Sequence, residues 1–566
     1  MKKILLAFLF LAANFQLLLA QEDELKISGN IQLDAQTYQE DSIIGAEASR
    51  EKMLAMFYSN IIANYKNFNA GIRFEGYLNA MQGYLPVNEG FGIPHFYAGY
   101  TSDNMEFTIG SFYEQFGSGL ILRAYEEKTL GYDNAINGFR MKLDLGHGLS
   151  LKAIYGKQRL AQYYINGQTQ LVLGDGIVRG LDAELNVNEL FSWMKESKTG
   201  VVLGGSFVSK YQEDDNPVYK LPENVGSGAG RIDISHGKIN FTTEYVYRSM
   251  DPSAAGIDNS NGNVGQNFIY RAGQGLVLNA SYSTKGLGIY LAAKSIDNLN
   301  FRSDRTAKIN DLLINFIPDY TKNHVYSITA MYPYGTQPNG EAGFQGSIQY
   351  NLKKETTLGG KYGTDLKLEY SRMFGLKKTA LDSVNLTANQ GTEGYSASLF
   401  GFGNDLFYQD ITFQIDKKIN KNLKGLLMLQ DLTYNNSIIH GAGEYSGTIH
   451  AFNVVLDTYY KFSSKQTLHT ELQHMMTKQD KGNWASLMFE YTIPGWFFIL
   501  GDLYNYGNPI VDARVHYYTI AVAYAHNANR IQLGFGKQRE GVVCTGGICR
   551  RVPAAYGLNI SITSSF

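Results

Sequence analysis

The 566 residues carry 50 basic and 52 acidic side chains, and a net charge of −2 gives no electrostatic ground for binding nucleic acid or an anionic surface. The chain is 44% hydrophobic, with 40 Tyr, 31 Phe, 60 Gly and only 11 Pro. Past the first twenty residues, nothing in it offers the roughly 18 continuous apolar residues of a spanning helix. A soluble chain of this length divides into domains with helical stretches between them, whereas here strand-like patterns run from Lys26 to Phe566 almost without helical periodicity.

Residues 1–20 read as a secretory signal peptide: Lys2 and Lys3, an apolar run from Ile4 to Leu19, then Ala20 before Gln21-Glu22-Asp23. Asn14 and Gln16 interrupt the run and weaken the alternative of a retained helix. Leu18 is a poorer residue than Ala three before the cut. No Cys lies near the cut to carry a lipid anchor. Residues 21–566 are then the mature chain.

The first strand follows at once. From Lys26 to Thr37, Ile27, Gly29, Ile31, Leu33 and Ala35 alternate with polar residues. The pattern returns at Phe68 to Asn79, Phe344 to Leu352 and Ile411 to Asp416. A two-residue period with one oily and one wet face, repeated along a Tyr-rich chain, is the pattern of a transmembrane β-barrel: one face meets lipid and the other the lumen. Closure is required, because an open edge would leave backbone groups unpaired in lipid. The expectation is therefore an all-β fold, a single closed antiparallel barrel over 21–566. A large soluble all-β protein is the alternative. The early first strand leaves no room ahead of the barrel for a plug domain of the kind carried by energy-coupled receptors.

Short turns are expected at Lys66-Asn67, Thr101 to Asn104, Gly146-His147-Gly148, Ser235 to Gly237, Thr284 to Gly286, Lys353 to Thr356, Lys417 to Asn422, Ser463-Ser464, Ile493 to Gly495 and His526 to Ala528. Longer connections alternate with them, among them Gln39 to Lys52, Gly83 to Ile93, Phe112 to Asn134, Met250 to Gly273 and Phe374 to Asp405. With short turns periplasmic and long loops external, the count comes to about 26 strands, with 24 as the alternative. Asn188 to Gly200 breaks the rule, since Glu189 to Ser197 has room for one or two helical turns in a periplasmic connection.

Phe112 to Asn134, by this count the third external loop, sets Glu114, Gln115, Arg123, Glu126, Glu127 and Asp133 among aromatic residues, with Gly117 and Gly119 allowing sharp bends. In general porins the third loop enters and narrows the lumen. By position, these residues are candidates for a charged constriction. The alternative is a capping loop whose charges pair with the wall. Ser118 lacks the spacing of a nucleophile elbow.

The loop's F-Y-E-Q-F-G-S-G-L, together with K-Q-R-E-G-V-V-C-T-G-G-I-C-R near the C-terminus, resembles an uncharacterised family of large outer-membrane β-barrel proteins of the Bacteroidota. The likeness covers the whole mature chain and implies a location rather than an activity. The last stretch, with Tyr556, Leu558, Ile560, Ile562 and Phe566 on one face, is similar to the closing strand of bacterial outer-membrane barrels. A terminal Phe there resembles the signal read by the barrel assembly machinery. Asp41-Ser42-Ile43 and Asp382-Ser383-Val384 resemble the short O-glycosylation signal of that phylum.

Cys544 and Cys549, spaced across Gly546-Gly547 in an exported chain, are expected to form a disulfide that stiffens the last hairpin. Lys537, Arg539, Arg550 and Arg551 flank them as a solvated basic rim, or as a holder of lipid phosphates such as those of lipopolysaccharide. His469, Glu471 and Gln473 share a strand face, but polar residues on a wet wall need no metal or catalytic role. No metal, cofactor or catalytic set is assigned, and an enzyme is not expected. Mixed lumen charges (Arg140, Lys142, Asp144; Asp182, Glu184; Lys361, Asp365, Lys367, Glu369) predict weak ion selectivity or internal ion pairing. Two functions follow: a passive porin-like channel for small solutes with inward loops, or a non-catalytic subunit of an outer-membrane export or assembly complex with a loop-occluded lumen.

Overall fold

A computed structural model describes residues 25–84, 90–165, 168–254, 268–307, 310–381, 391–439 and 447–566. The signal-peptide reading of 1–20 and the Asp382-Ser383-Val384 tripeptide lie outside these residues.

Alternation along the chain produces 24 strands in one antiparallel sheet that closes on itself. The first eight are β1 (Lys26–Thr37), β2 (Met53–Tyr65), β3 (Phe68–Leu78), β4 (Gly90–Thr101), β5 (Met105–Phe112), β6 (Ile136–Asp144), β7 (Leu149–Ile165) and β8 (Gln168–Asn186). Next come β9 (Thr199–Tyr211), β10 (Asn224–His236), β11 (Ile239–Arg248), β12 (Gly273–Thr284), β13 (Leu287–Asp297), β14 (Gly340–Leu352), β15 (Thr364–Leu376) and β16 (Phe402–Lys418). The circle is completed by β17 (Leu423–Asn435), β18 (Thr448–Ser463), β19 (Gln466–Thr477), β20 (Trp484–Ile493), β21 (Trp496–Tyr504), β22 (His516–His526), β23 (Asn529–Gln538) and β24 (Ala555–Ser565).

Each strand pairs with its neighbour in sequence, and β24 pairs with β1 in a register running from Asn30↔Ser565 to Gln36↔Asn559. Gly29 and Phe566 extend this seam by exchanging both backbone hydrogen bonds, at 2.9 and 3.0 Å. Among the described residues the wall has 24 strands, the alternative to the count of about 26, and those of 298–339, between β13 and β14, contribute none to it.

One face of the alternation is apolar and exposed: Ile109, Phe139, Leu181, Phe207, Leu291, Leu368, Leu472, Phe498 and Ile520 all point outward. Such a belt is the surface that a bilayer covers. Tight turns occupy one end of the barrel. The connection after β8 is the exception, and it holds the expected helical turns, Val187–Leu190 and Ser192–Met194, the first capped by Asn186. Long loops occupy the other end.

Two irregularities re-aim side chains into the lumen. Pro94 has no N–H for the ladder, and the β3–β4 register slips there between Arg73 and Glu75. A second pair of shifts, between Lys157 and Arg159 and between Arg159 and Ala161, turns Arg159 inward beside Gln158.

Candidate functional site

The lumen is where the chain departs from a plain barrel. Near the long-loop end, strand after strand places an apolar residue on its inner face: Ile136, Ile154, Val178, Val208, Val225, Val246, Val277, Ile296, Met373, Leu432, Ile449, Met475 and Trp484, all buried. Apolar side chains lining a water-filled channel would remain hydrated, each forgoing roughly 1.5–3 kcal/mol of burial. Here two loops cover them. The Phe112–Asn134 loop supplies Phe116, Leu120, Ile121 and Leu122, and the 298–339 segment supplies Leu299, Phe301, Ile314, Ile317, Ile328 and Met331, all in one continuous apolar core with the wall.

The two loops are also stitched to each other. Arg123 N–H donates to Ile314 C=O (2.8 Å), Phe316 N–H to Gly119 C=O (2.9 Å), and the Asn134 amide to Leu313 C=O (2.8 Å). Gln158 of the wall donates to the same Leu313 carbonyl at 2.7 Å. The 298–339 segment, a plug built from the chain's own loop, was not marked out in the sequence. The available signal was the apolar residue recurring on the otherwise polar strand face.

The constriction candidates do not act as one group. Glu114 is buried within 3.3 Å of Lys152 Nζ and 3.2 Å of Lys142 Nζ, with Arg140 at 3.7 Å. Arg73 donates to both carboxylate oxygens of Glu126, at 2.9 and 3.0 Å. Asp133 accepts from Arg159 (2.6 Å), Arg73 (3.1 Å) and the Tyr113 hydroxyl (3.1 Å). Arg159 also grips Glu75 with both terminal nitrogens, at 2.9 and 2.7 Å.

Arg123 instead stacks between Tyr125 and Phe316, 4.3 and 4.1 Å from the ring centres, so it serves the plug contact. Gln115 donates to Gly117 C=O at 2.8 Å, and Glu127 caps the 3-10 turn Lys128–Leu130 through Thr129. The loop does fold inward, and its buried carboxylates meet wall cations.

The plug is tied to the wall across many strands. Lys294 Nζ donates to Pro318 C=O (2.7 Å) and pairs with Glu341, which accepts a hydrogen bond from Tyr334. His324 meets Asp410 at 2.8 Å, Tyr326 donates to Asp457 at 2.8 Å, and Tyr332 donates to Asp480 at 2.9 Å. Burial, reinforced by Asp457, raises Tyr326 above the ordinary phenol range, so its hydroxyl stays a donor.

Cys544 and Cys549 form a disulfide, facing each other in a hairpin of Gly541–Thr545 and Ile548–Val552. That hairpin reaches back over the plug: Thr336 N–H donates to Gly547 C=O (3.1 Å) and the Asn310 amide to Cys549 C=O (2.8 Å). In the basic rim, Lys537 pairs with Asp41 at 2.5 Å and Arg550 stacks on Tyr84, 3.9 Å from the ring centre.

A model described as a family of unknown function, DUF6029, matches residues 1–566. The chain belongs to that family. No curated protein sequence matches this DUF6029 chain. Among solved structures it is similar to the P pilus usher (PapC) translocation pore, at 10% identity over 96% of this chain and 99% of that chain, with a TM-score of 0.40. A mutant of the ferric enterobactin receptor (PfeA) from Pseudomonas aeruginosa is similar at 11% identity over 96% and 80%, with a TM-score of 0.41. The copper transporter OprC is similar at 10% identity over 97% and 81%, with a TM-score of 0.40. These likenesses pair large barrels and transfer no site to this DUF6029 member.

Proposed function

We propose that this protein is a self-plugged outer-membrane β-barrel, closed to passive solute flow at rest, that serves as a non-catalytic subunit of an export or assembly complex. The observation that carries this reading is the apolar core inside the lumen. A passive channel needs water along its whole path, whereas here wall and loops share an apolar core across much of the lumen. The apolar belt and the signal-peptide pattern support the outer membrane, with the long loops outside.

Planar-bilayer recording tests the closed state. The intact chain is expected to insert without conductance steps, and a variant with 299–336 replaced by a short Gly-Ser linker is expected to conduct. Stable steps from the intact chain would overturn the reading. The complex is tested by mild-detergent pull-down, which should bring stoichiometric partners.

The passive-channel reading has one observation of its own. The arc of β21 to β24 and β1 turns Gly501, Thr519, Gly534, Ser561 and Gln32 inward outside the apolar core, although Leu503 and Tyr517 of the same arc pack against it. A solute path there would give small conductances that Thr519→Trp reduces.

A further inference from the structure

We propose that Asp457, His469 and Glu471, on the lumen side of β18 and β19, form a binding site for a divalent transition-metal ion such as Zn²⁺. One ligand atom from each lies within 4.8 Å of the others. His469 and Glu471 share a face two residues apart, and Asp457 sits directly across from Glu471 in the ladder. Two carboxylates facing each other across strands repel. Among the described residues, no Lys or Arg forms an ion pair with either of them; His469 alone does. Glu490, directly opposite His469 on β20, adds a third carboxylate. A metal cation supplies the missing positive charge.

The groups are also oriented. The His469 ring stacks on Tyr459 with centres 4.1 Å apart, which aims Nε2 between Asp457 Oδ1 (2.8 Å) and Glu471 Oε1 (3.5 Å). Each carboxylate has its other oxygen held by a neutral donor: the Tyr326 hydroxyl on Asp457 Oδ2 (2.8 Å) and the Gln473 amide on Glu471 Oε2 (2.9 Å). Metal-ligating carboxylates are characteristically held in this way by outer partners. One imidazole and two carboxylates suit Zn²⁺ or Co²⁺, whereas Ca²⁺ and Mg²⁺ take all-oxygen sites. The sequence placed His469 and Glu471 together and assigned no metal, since the third ligand comes from a neighbouring strand. Because Tyr326 belongs to the plug, an ion on Asp457 Oδ1 would fix the residue that holds it. The site itself rests on these side chains and not on whether the barrel conducts.

The test is titration of the full chain in detergent, stripped with chelator, using Co²⁺ absorption and Zn²⁺ competition against a chromophoric chelator. One saturable equivalent is expected, with His469→Ala and Glu471→Gln each weakening it at least about tenfold. His526→Ala, an exposed histidine elsewhere, should bind as the intact chain does. Should His469→Ala fail to fold, Glu471→Gln carries the test. Absence of saturable binding, or binding that survives these ligand substitutions, overturns the site.

Discussion

Arg73, on the barrel wall, grips Glu126, in the inward loop, through both terminal guanidinium nitrogens at 2.9 and 3.0 Å. Arg73 is buried, so removing it strands Glu126 and weakens the hold on Asp133. Breaking a buried ion pair from one side costs about 3–5 kcal/mol. Arg73→Met should therefore loosen the loop. Limited proteolysis within 113–135 should speed up while the barrel stays intact; cleavage at the native rate would count against the anchor.

Asp133 gives the loop a pH dependence. Burial pushes its carboxyl up, but Arg159, Arg73 and the Ala135 N–H outweigh this and hold it below its ordinary 3.8. A carboxyl lowered in the folded state adds stability above its unfolded value and loses it as pH falls through the folded one. Glu126 behaves oppositely. Burial raises it despite Arg73, so its share is complete below its ordinary 4.5 and declines as pH rises through the folded value. Acid undocking below pH 3.8 should thus belong to Asp133, and Asp133→Asn should flatten it where Glu126→Gln does not. Protease accessibility between pH 2 and 7 checks this.

Gly117 bends the loop with φ +53°, and a Cβ there would come 2.5 Å from Glu244 Oε2 on β11. The same oxygen accepts the Ser118 N–H at 2.7 Å. Left-handed backbone alone costs a branched residue about 1–2 kcal/mol, and displacing Glu244 adds to it. Gly117→Val should lower the unfolding midpoint by more than Gly119→Ala, which is also strained by its φ of +96° but carries no branched side chain and would meet Arg123 at a gentler 3.3 Å.

Losing the disulfide should act on the hairpin that overlies the plug and leave the barrel intact. A short closed loop is worth roughly 2 kcal/mol in the chain-entropy model. Cys544→Ser with Cys549→Ser should raise hydrogen exchange at Thr336 and across 541–552, with the strand amides of β1 and β24 unchanged.

The barrel was legible because a period of two is local: Ile31, Leu33 and Ile562 declare their face from their immediate neighbours, and the seam between β1 and β24 follows. An inward loop was expected at Phe112–Asn134 from its position alone, with a capping loop paired to the wall as the alternative. Its partners were not legible, since Arg73, Arg159 and Lys152 reach it from strands distant in sequence. The plug stayed hidden because Val178, Val208, Val225 and Val246 each look like ordinary strand residues. Only their common height around the wall makes a ring. The 24 strands of the described wall are the count held as the alternative to about 26, and the described residues of 298–339 pack inside the wall instead of adding to it.

The mutual exchange between Gly29 and Phe566 leaves the sheet without a first or last member. Strand addition, a common way for one protein to seize another, needs an unpaired ladder of amides and carbonyls. Among the described residues, the seam between β1 and β24 presents none. Whatever joins it does so away from that seam, on the loop crown or against the oily outer belt.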